Sequence, residues 1–188
     1  ALYKKTANPE CGVSGESDAG NGSIMRLAPI AIWAFKHGVK QAIHYAVTSS
    51  KTTHGSQECL DACAYLSEIL YLALGSETKE TILAPKSDPA QSIATKISDF
   101  YNLTPDNAPN TGYVVDTLKS ALWAFEATDD FESGMKKVIR LGGDADTIGA
   151  VYGQIAGAYY GLNRIPERWK EKLYLSTEIL KMAEKLSN

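Results

Sequence analysis

Cysteine is scarce in this chain: three in 188 residues, Cys11, Cys59 and Cys63. An odd count without framework spacing excludes a disulfide-stapled scaffold and predicts a reducing, cytoplasmic setting. Cys59 and Cys63 stand four apart, one helical turn, near His54 but not at zinc-finger spacing, so they read as small buried apolar side chains. An excess of one charge is also lacking. Nineteen Lys and Arg stand against 22 Asp and Glu, a formal net of -3. That balance predicts no nucleic-acid patch and no electrostatic capture by a membrane. No apolar run reaches the roughly 20 residues a spanning helix needs; the nearest candidate, 147–162, carries Gln154. Alternating strand patterns are scarce, and neither an internal repeat nor a coiled-coil heptad is evident. The chain opens Ala1-Leu2-Tyr3-Lys4 with neither an initiator methionine nor a signal peptide, which reads as a fragment or a processed chain.

What is present is helical periodicity. The length suits a single domain with a real core, and one all-α domain over 1–188 is the expectation. Residues 1–21 read as loop. Helices are expected over about 23–37, with a kink or a start at Pro29, and then over 39–51, 56–74, 92–101, 114–127, 131–141 and 147–161, with one or two more after Pro166. The stretches 81–89 and 104–112 read as connections. Gly149, Gly153, Gly157 and Gly161 recur every four residues. Each costs about 1 kcal/mol relative to Ala in a helix interior, so close approach of a neighbouring helix is expected there. That places the 147–161 helix at the centre of the bundle.

The densest chemistry lies in Gly142-Gly143-Asp144-Ala145-Asp146-Thr147. Two carboxylates and a hydroxyl within four residues, behind a glycine pair and at a helix start, suit a hard cation such as Mg²⁺ or Mn²⁺. Two residues apart on a regular helix, Asp144 and Asp146 would diverge; on the extended turn before a helix they can converge. The plainer alternative is an N-cap, which accounts for one Asp but not for the second or for the glycine pair.

Three other stretches stand out. Gly20-Asn21-Gly22-Ser23 precedes a helix bearing Met25 and Arg26, and such a loop either presents backbone N–H groups to a phosphate or simply caps and turns. No Gly-Lys-Ser/Thr follows, so it is not a nucleotide P-loop. His54 sits at a helix boundary, as a ligand contact or a cap. Tyr113 begins a helix after a Pro/Asn-rich loop and either stacks on a planar ligand or packs. Thr128-Asp129-Asp130 reads as a polar turn capping the helix at Phe131.

Taken in order, Gly20-Asn21-Gly22-Ser23-Ile24-Met25-Arg26, Thr53-His54, Gly112-Tyr113-Val114-Val115-Asp116-Thr117-Leu118 and Gly142-Gly143-Asp144-Ala145-Asp146-Thr147 resemble the ADP-ribosylglycohydrolase family over nearly the whole chain. The resemblance implies a compact all-α bundle of packed, partly orthogonal helices, of which residues 1–188 would be the C-terminal part. It implies two Mg²⁺ or Mn²⁺ ions and hydrolysis of the bond joining ADP-ribose to a protein side chain or another acceptor. Asp144, Asp146 and Thr147 match the metal ligands, with Asp144 and Asp146 as the catalytic pair. Asn21, Gly22 and Ser23 match the loop near the phosphates, and His54 and Tyr113 match the lining of the ADP-ribose pocket. Members also carry an upstream segment with a Thr-Asp-Asp cluster that completes the metal site. It would precede Asn21, and it is not found here; Thr128-Asp129-Asp130 does not replace it. The partners implied are an ADP-ribosylated protein or a small ADP-ribosyl substrate, and the upstream segment itself. Two alternatives on the same fold are a non-catalytic ADP-ribose-binding module and a structural, crystallin-like protein.

Overall fold

The computed structural model describes residues 8–15 and 18–188. Among them are ten α-helices and four 3₁₀ turns, and no strand. Two isolated bridges join Val13 to His54 and Gly20 to Tyr113. Of the expected 1–21 loop, residues 8–15 and 18–20 are irregular; 1–7, 16 and 17 lie outside the described residues.

Pro29 divides the first helical region. A 3₁₀ turn spans Asn21–Arg26, α1 spans Ala28–Ala34, and a second 3₁₀ turn spans Phe35–His37. Pro29 has no N–H to donate back to the Met25 carbonyl, so it sits in the first turn of α1. The carbonyl it leaves free is taken by a side chain from far along the chain: Gln154 Nε2 donates to Met25 O at 3.1 Å and to Ile24 O at 3.0 Å. Gly38, at φ 88°, then turns the chain into α2, Val39–Lys51.

The long α3, Gln57–Leu74, runs through the middle of the molecule. Its Cys63, Leu66, Ile69 and Leu70 meet Leu118 and Leu122 of α6 (Val114–Glu126) and Ile148, Val151 and Ile155 of α8 (Ala145–Tyr160) in one cluster of buried side chains. Each fully buried Leu or Ile there contributes about 1.5–3 kcal/mol. The segment 81–89 is more ordered than its composition suggests. A short α4 spans Lys79–Ile82, its first turn capped by Thr78, and α5 spans Asp88–Ile97. Pro89 falls in the first turn of α5, where it starts a helix rather than breaking one. Glu68, buried on α3, accepts from the N–H groups of Lys86 (2.8 Å) and Ser87 (3.1 Å) and so satisfies the amides of that connection. Helix α7 spans Phe131–Ile139, capped by Asp130, which accepts from Ser133 N at 2.8 Å; the polar-turn reading of 128–130 holds. Two further helices, α9 (Glu167–Lys170) and α10 (Ser176–Ser187), end the chain.

The glycine row of α8 is used differently from the expectation. A Cβ on Gly149 would lie 3.4 Å from Ile139 and one on Gly153 3.5 Å from Met135, both ordinary contacts with α7. Gly157 faces open space, beside an apolar cavity of about 390 Å³ bordered by Ala28, Ile32, Leu70 and Leu74. Gly161 lies beyond the helix, where its φ of 81° ends it. The close approach is made instead at Gly134 of α7, where a Cβ would fall 2.1 Å from the Tyr152 hydroxyl oxygen. The first half of α8 is in the core and the second half is partly exposed, so α3, not α8, is the central helix.

Candidate functional site

Three segments far apart in sequence meet at the start of α8. Asn21 N donates to Gly112 O at 3.0 Å and Val114 N to Ala19 O at 2.9 Å, which lays the Gly20–Ser23 stretch against the entry to α6. From that pairing the Asn21 side chain reaches across. Its Nδ2 donates to Asp144 Oδ2 at 2.5 Å and to Thr117 Oγ1 at 2.7 Å. Thr147 Oγ1 donates to the other carboxylate oxygen, Asp144 Oδ1, at 3.1 Å. Asp144 is thus held on both oxygens, at the N-terminus of a sixteen-residue helix whose partial positive charge favours it.

The turn that delivers Asp144 depends on both glycines. Gly142 and Gly143 have φ of 67° and 56°, the left-handed region where a Cβ is strained. Gly143 also packs on Asn110, whose carbonyl would lie 2.3 Å from a Cβ. Asn110 O accepts from Asp144 N at 2.9 Å, and Asn110 Nδ2 donates to Leu141 O at 2.8 Å. One loop residue therefore fixes both ends of the Gly-Gly turn.

Asp146, in the first turn of α8, is exposed, and its side chain makes no hydrogen bond or ion pair among the described residues. Thr147 is buried. Ser23 is 2% exposed, so its hydroxyl faces the core rather than solvent. His54 lies over Gly22: a Cβ there would be 2.8 Å from the ring Cε1. Its Nδ1 pairs with Thr53 Oγ1 at 2.7 Å. Arg26 donates to Gly22 O and to Thr53 Oγ1, both at 2.8 Å, and closes this side. Burial, and then the Arg26 charge, lower the His54 pKa below its ordinary 6.5, so the ring is neutral at neutral pH. Tyr113 stands at the rim, 37% exposed, its hydroxyl donating to Glu58 Oε2 at 2.8 Å.

The structure thus brings Asn21, Asp144 and Thr147 into direct contact and places Asp146, Gly22, His54 and Tyr113 around them. Sequence reasoning missed Asn110, Thr117 and Glu58. Thr117 did leave a signal: it is a hydroxyl on an otherwise apolar helix face between Val114 and Leu118.

Asp144, Asp146 and Thr147 offer only oxygen donors, the kind a hard cation takes, with both Asp144 oxygens already accepting hydrogen bonds. Among the described residues no group of three or more His, Cys, Asp or Glu side chains converges on a point.

No helix among the described residues is long and apolar enough to cross a membrane. A family model described as ADP-ribosylglycohydrolase matches residues 1–188. The ADP-ribosylarginine hydrolase Tri1 of Pseudomonas putida (strain GB-1) is 38% identical over 90% of this chain and 46% of its own length. The ADP-ribosyl-[dinitrogen reductase] glycohydrolase of Rhodospirillum rubrum is 31% identical over 87% of this chain and 53% of its own. A solved structure, an "ADP-ribosylglycohydrolase-related protein complex", superposes with a TM-score of 0.86 at 41% identity, covering 99% of this chain and 65% of that one. The chain spans about half the length of these curated relatives. The chain belongs to the ADP-ribosylglycohydrolase family.

Proposed function

We propose that these residues form one side of a metal-dependent ADP-ribosyl hydrolase site that releases ADP-ribose from a protein side chain. The observation that carries the reading is the pair of contrasting carboxylates at the start of α8. Asp144 is clamped on both oxygens by Asn21 and Thr147, while Asp146 beside it is exposed and unpartnered. The helix N-terminus favours both carboxylates; the free oxygens of Asp146 beside an already oriented Asp144 also leave oxygen donors open to a hard cation. Asp144, Asp146 and Thr147 would hold Mg²⁺ or Mn²⁺. When bound, such an ion lowers the pKa of a coordinated water and orients ribose hydroxyls.

The bond to be broken is glycosidic and passes through an oxocarbenium-like state. In that reaction Asp144, pre-oriented by Asn21 and Thr147, holds its geometry without reorganising. Asp146 adds negative charge at the same helix start, which would favour the developing cation. Neutral His54 and the rim ring of Tyr113 bound the space where ADP-ribose would lie, and Gly22 keeps the floor under His54 low. The relatives named for ADP-ribosylarginine, at 38% and 33% identity, favour arginine as the acceptor.

A second reading, a non-catalytic ADP-ribose-binding module, is favoured by one observation: both oxygens of Asp144 already accept hydrogen bonds from side chains of the fold. One experiment separates the two. Arginine-ADP-ribosylated protein is incubated with the chain and Mg²⁺, and free ADP-ribose is measured alongside ADP-ribose affinity. Release that Asp146→Ala abolishes, with helicity unchanged, supports the hydrolase. Metal-dependent binding without release supports the module. Release undiminished in the variant refutes the metal role of Asp146.

A further inference from the structure

Glu58 lies outside every motif discussed so far, yet it joins the rim of the site to two helices. It occupies the first turn of α3, where the helix N-terminus favours a carboxylate. One oxygen, Oε1, is ion-paired with Lys96 of α5; the other, Oε2, accepts from Tyr113 at 2.8 Å. The Lys96 hydrogen bond is the largest of the effects that hold the Glu58 carboxyl below the usual carboxylate range, ahead of the contribution from Tyr113. Burial first, and then the Glu58 contact, push the Tyr113 phenol up to about 12, so it remains a donor throughout the neutral range.

We propose that Glu58 is a positioning residue: by tethering the Tyr113 hydroxyl it fixes the aromatic ring as one wall of the site, against which the planar part of the ligand packs. This rests on the reading of the site as an ADP-ribose pocket. The backbone of Tyr113 is already set, since Gly20 bridges to it and Val114 N donates to Ala19 O. Its neighbour Gly112 would place a Cβ 3.7 Å from Asp144 Oδ2, so the backbone that carries Tyr113 passes beside the clamped carboxylate. What remains free is the side-chain torsion, and the Glu58 contact removes that freedom. A ring ordered before the ligand arrives spares binding the loss of that freedom. Stability does not account for the arrangement. Tyr113 and Lys96 are more than a third exposed, and exposed pairs of this kind contribute little to folding.

The test is a double-mutant cycle on the chain with Mg²⁺ present: wild type, Tyr113→Phe, Glu58→Ala and the double variant. ADP-ribose affinity is measured by calorimetry, and the Tyr113 phenol is titrated by NMR of labelled tyrosine. Each single variant is expected to weaken binding by roughly 2- to 10-fold, the range set by one immobilised side chain. The double variant should be no weaker than Tyr113→Phe alone, because Glu58 acts only through that hydroxyl. In Glu58→Ala the Tyr113 titration should move down toward the ordinary tyrosine value. Glu58→Gln, which keeps an acceptor oxygen, should restore most of the affinity. An unchanged Tyr113 titration in Glu58→Ala overturns the positioning role while leaving the pocket standing. So does a Glu58→Ala loss that is equal in the wild-type and Tyr113→Phe backgrounds. A wild-type chain that binds no ADP-ribose overturns the pocket itself and the positioning role with it.

Discussion

Gly142 and Gly143 form a natural matched pair, because both sit in the left-handed region and only one is crowded. A Cβ at Gly142 meets nothing within 4 Å; one at Gly143 falls 2.3 Å from the Asn110 carbonyl oxygen, where ordinary contact begins at 3.4 Å. Gly142→Ala therefore carries only the left-handed penalty, about 1–2 kcal/mol. Gly143→Ala carries the same penalty and must also push Asn110 aside. That movement breaks the bond from Asp144 N to Asn110 O, now 2.9 Å, which adds about 1 kcal/mol. The expected loss is about 2–3 kcal/mol. The functional difference should be larger than the difference in stability, since Asp144 moves with its own amide. Urea unfolding gives the stabilities, and Mn²⁺ titration followed by electron paramagnetic resonance gives the metal affinity. Gly142→Ala should bind Mn²⁺ nearly as the wild type does, and Gly143→Ala should bind far more weakly. Equal stability and equal Mn²⁺ affinity in the two variants would refute the claim that Asn110 fixes this turn.

Other outcomes follow from the same geometry. Asp146→Ala should leave urea stability within about 0.5 kcal/mol of wild type, because the exposed Asp146 side chain makes no hydrogen bond or ion pair among the described residues. Asp144→Ala, which strands the Asn21 amide, should cost about 1–3 kcal/mol in the same assay. Gly134→Ala should destabilise by about 2–3 kcal/mol, since the new methyl overlaps the buried Tyr152 ring. For His54, the folded pKa lies below the unfolded 6.5, so the unfolded state binds more protons between those values. His54 should thus make stability rise with pH through that window and level off above 6.5. His54→Asn should remove that part of the slope when unfolding is measured from about pH 5 to 8.

Much of the helical order is legible in the sequence because periodicity and punctuation agree. The helix at Val39–Lys51 follows a glycine with a positive φ, and Val114–Glu126 begins after a loop dense in Pro and Asn. Pro29 is ambiguous in one dimension. A kink and a start look alike until the partner of the freed Met25 carbonyl is known, and that partner, Gln154, lies in α8. The glycine row misled for a related reason. A missing Cβ marks a place where something can approach, and Gly157 shows that nothing within the described residues does. The real close contact, Gly134 against Tyr152, uses a single glycine with no periodic signal.

In the candidate site, local chemistry singles out Asp144, Asp146 and Thr147 and marks the Gly20–Ser23 loop, and the resemblance puts that loop near the phosphates. Which atoms meet is a tertiary matter. Asn21, expected in the loop near the phosphates, directs its side-chain amide to Asp144 and Thr117. Asn110 is hidden because asparagine in a Pro-rich loop is commonplace, and its amide bonds to a residue 31 positions away. Glu58 is hidden because a carboxylate in the first turn of a helix is already explained by the helix dipole.

The central claim is that the start of α8 holds a divalent cation that ADP-ribose binding requires. The most direct measurement is calorimetric titration of ADP-ribose into this chain, first with Mg²⁺ and then with EDTA, repeated on Asp146→Ala. The account predicts binding with Mg²⁺, none with EDTA, and loss in the variant with its helical circular dichroism unchanged. Equal affinity with and without metal, or full affinity in Asp146→Ala, would contradict it.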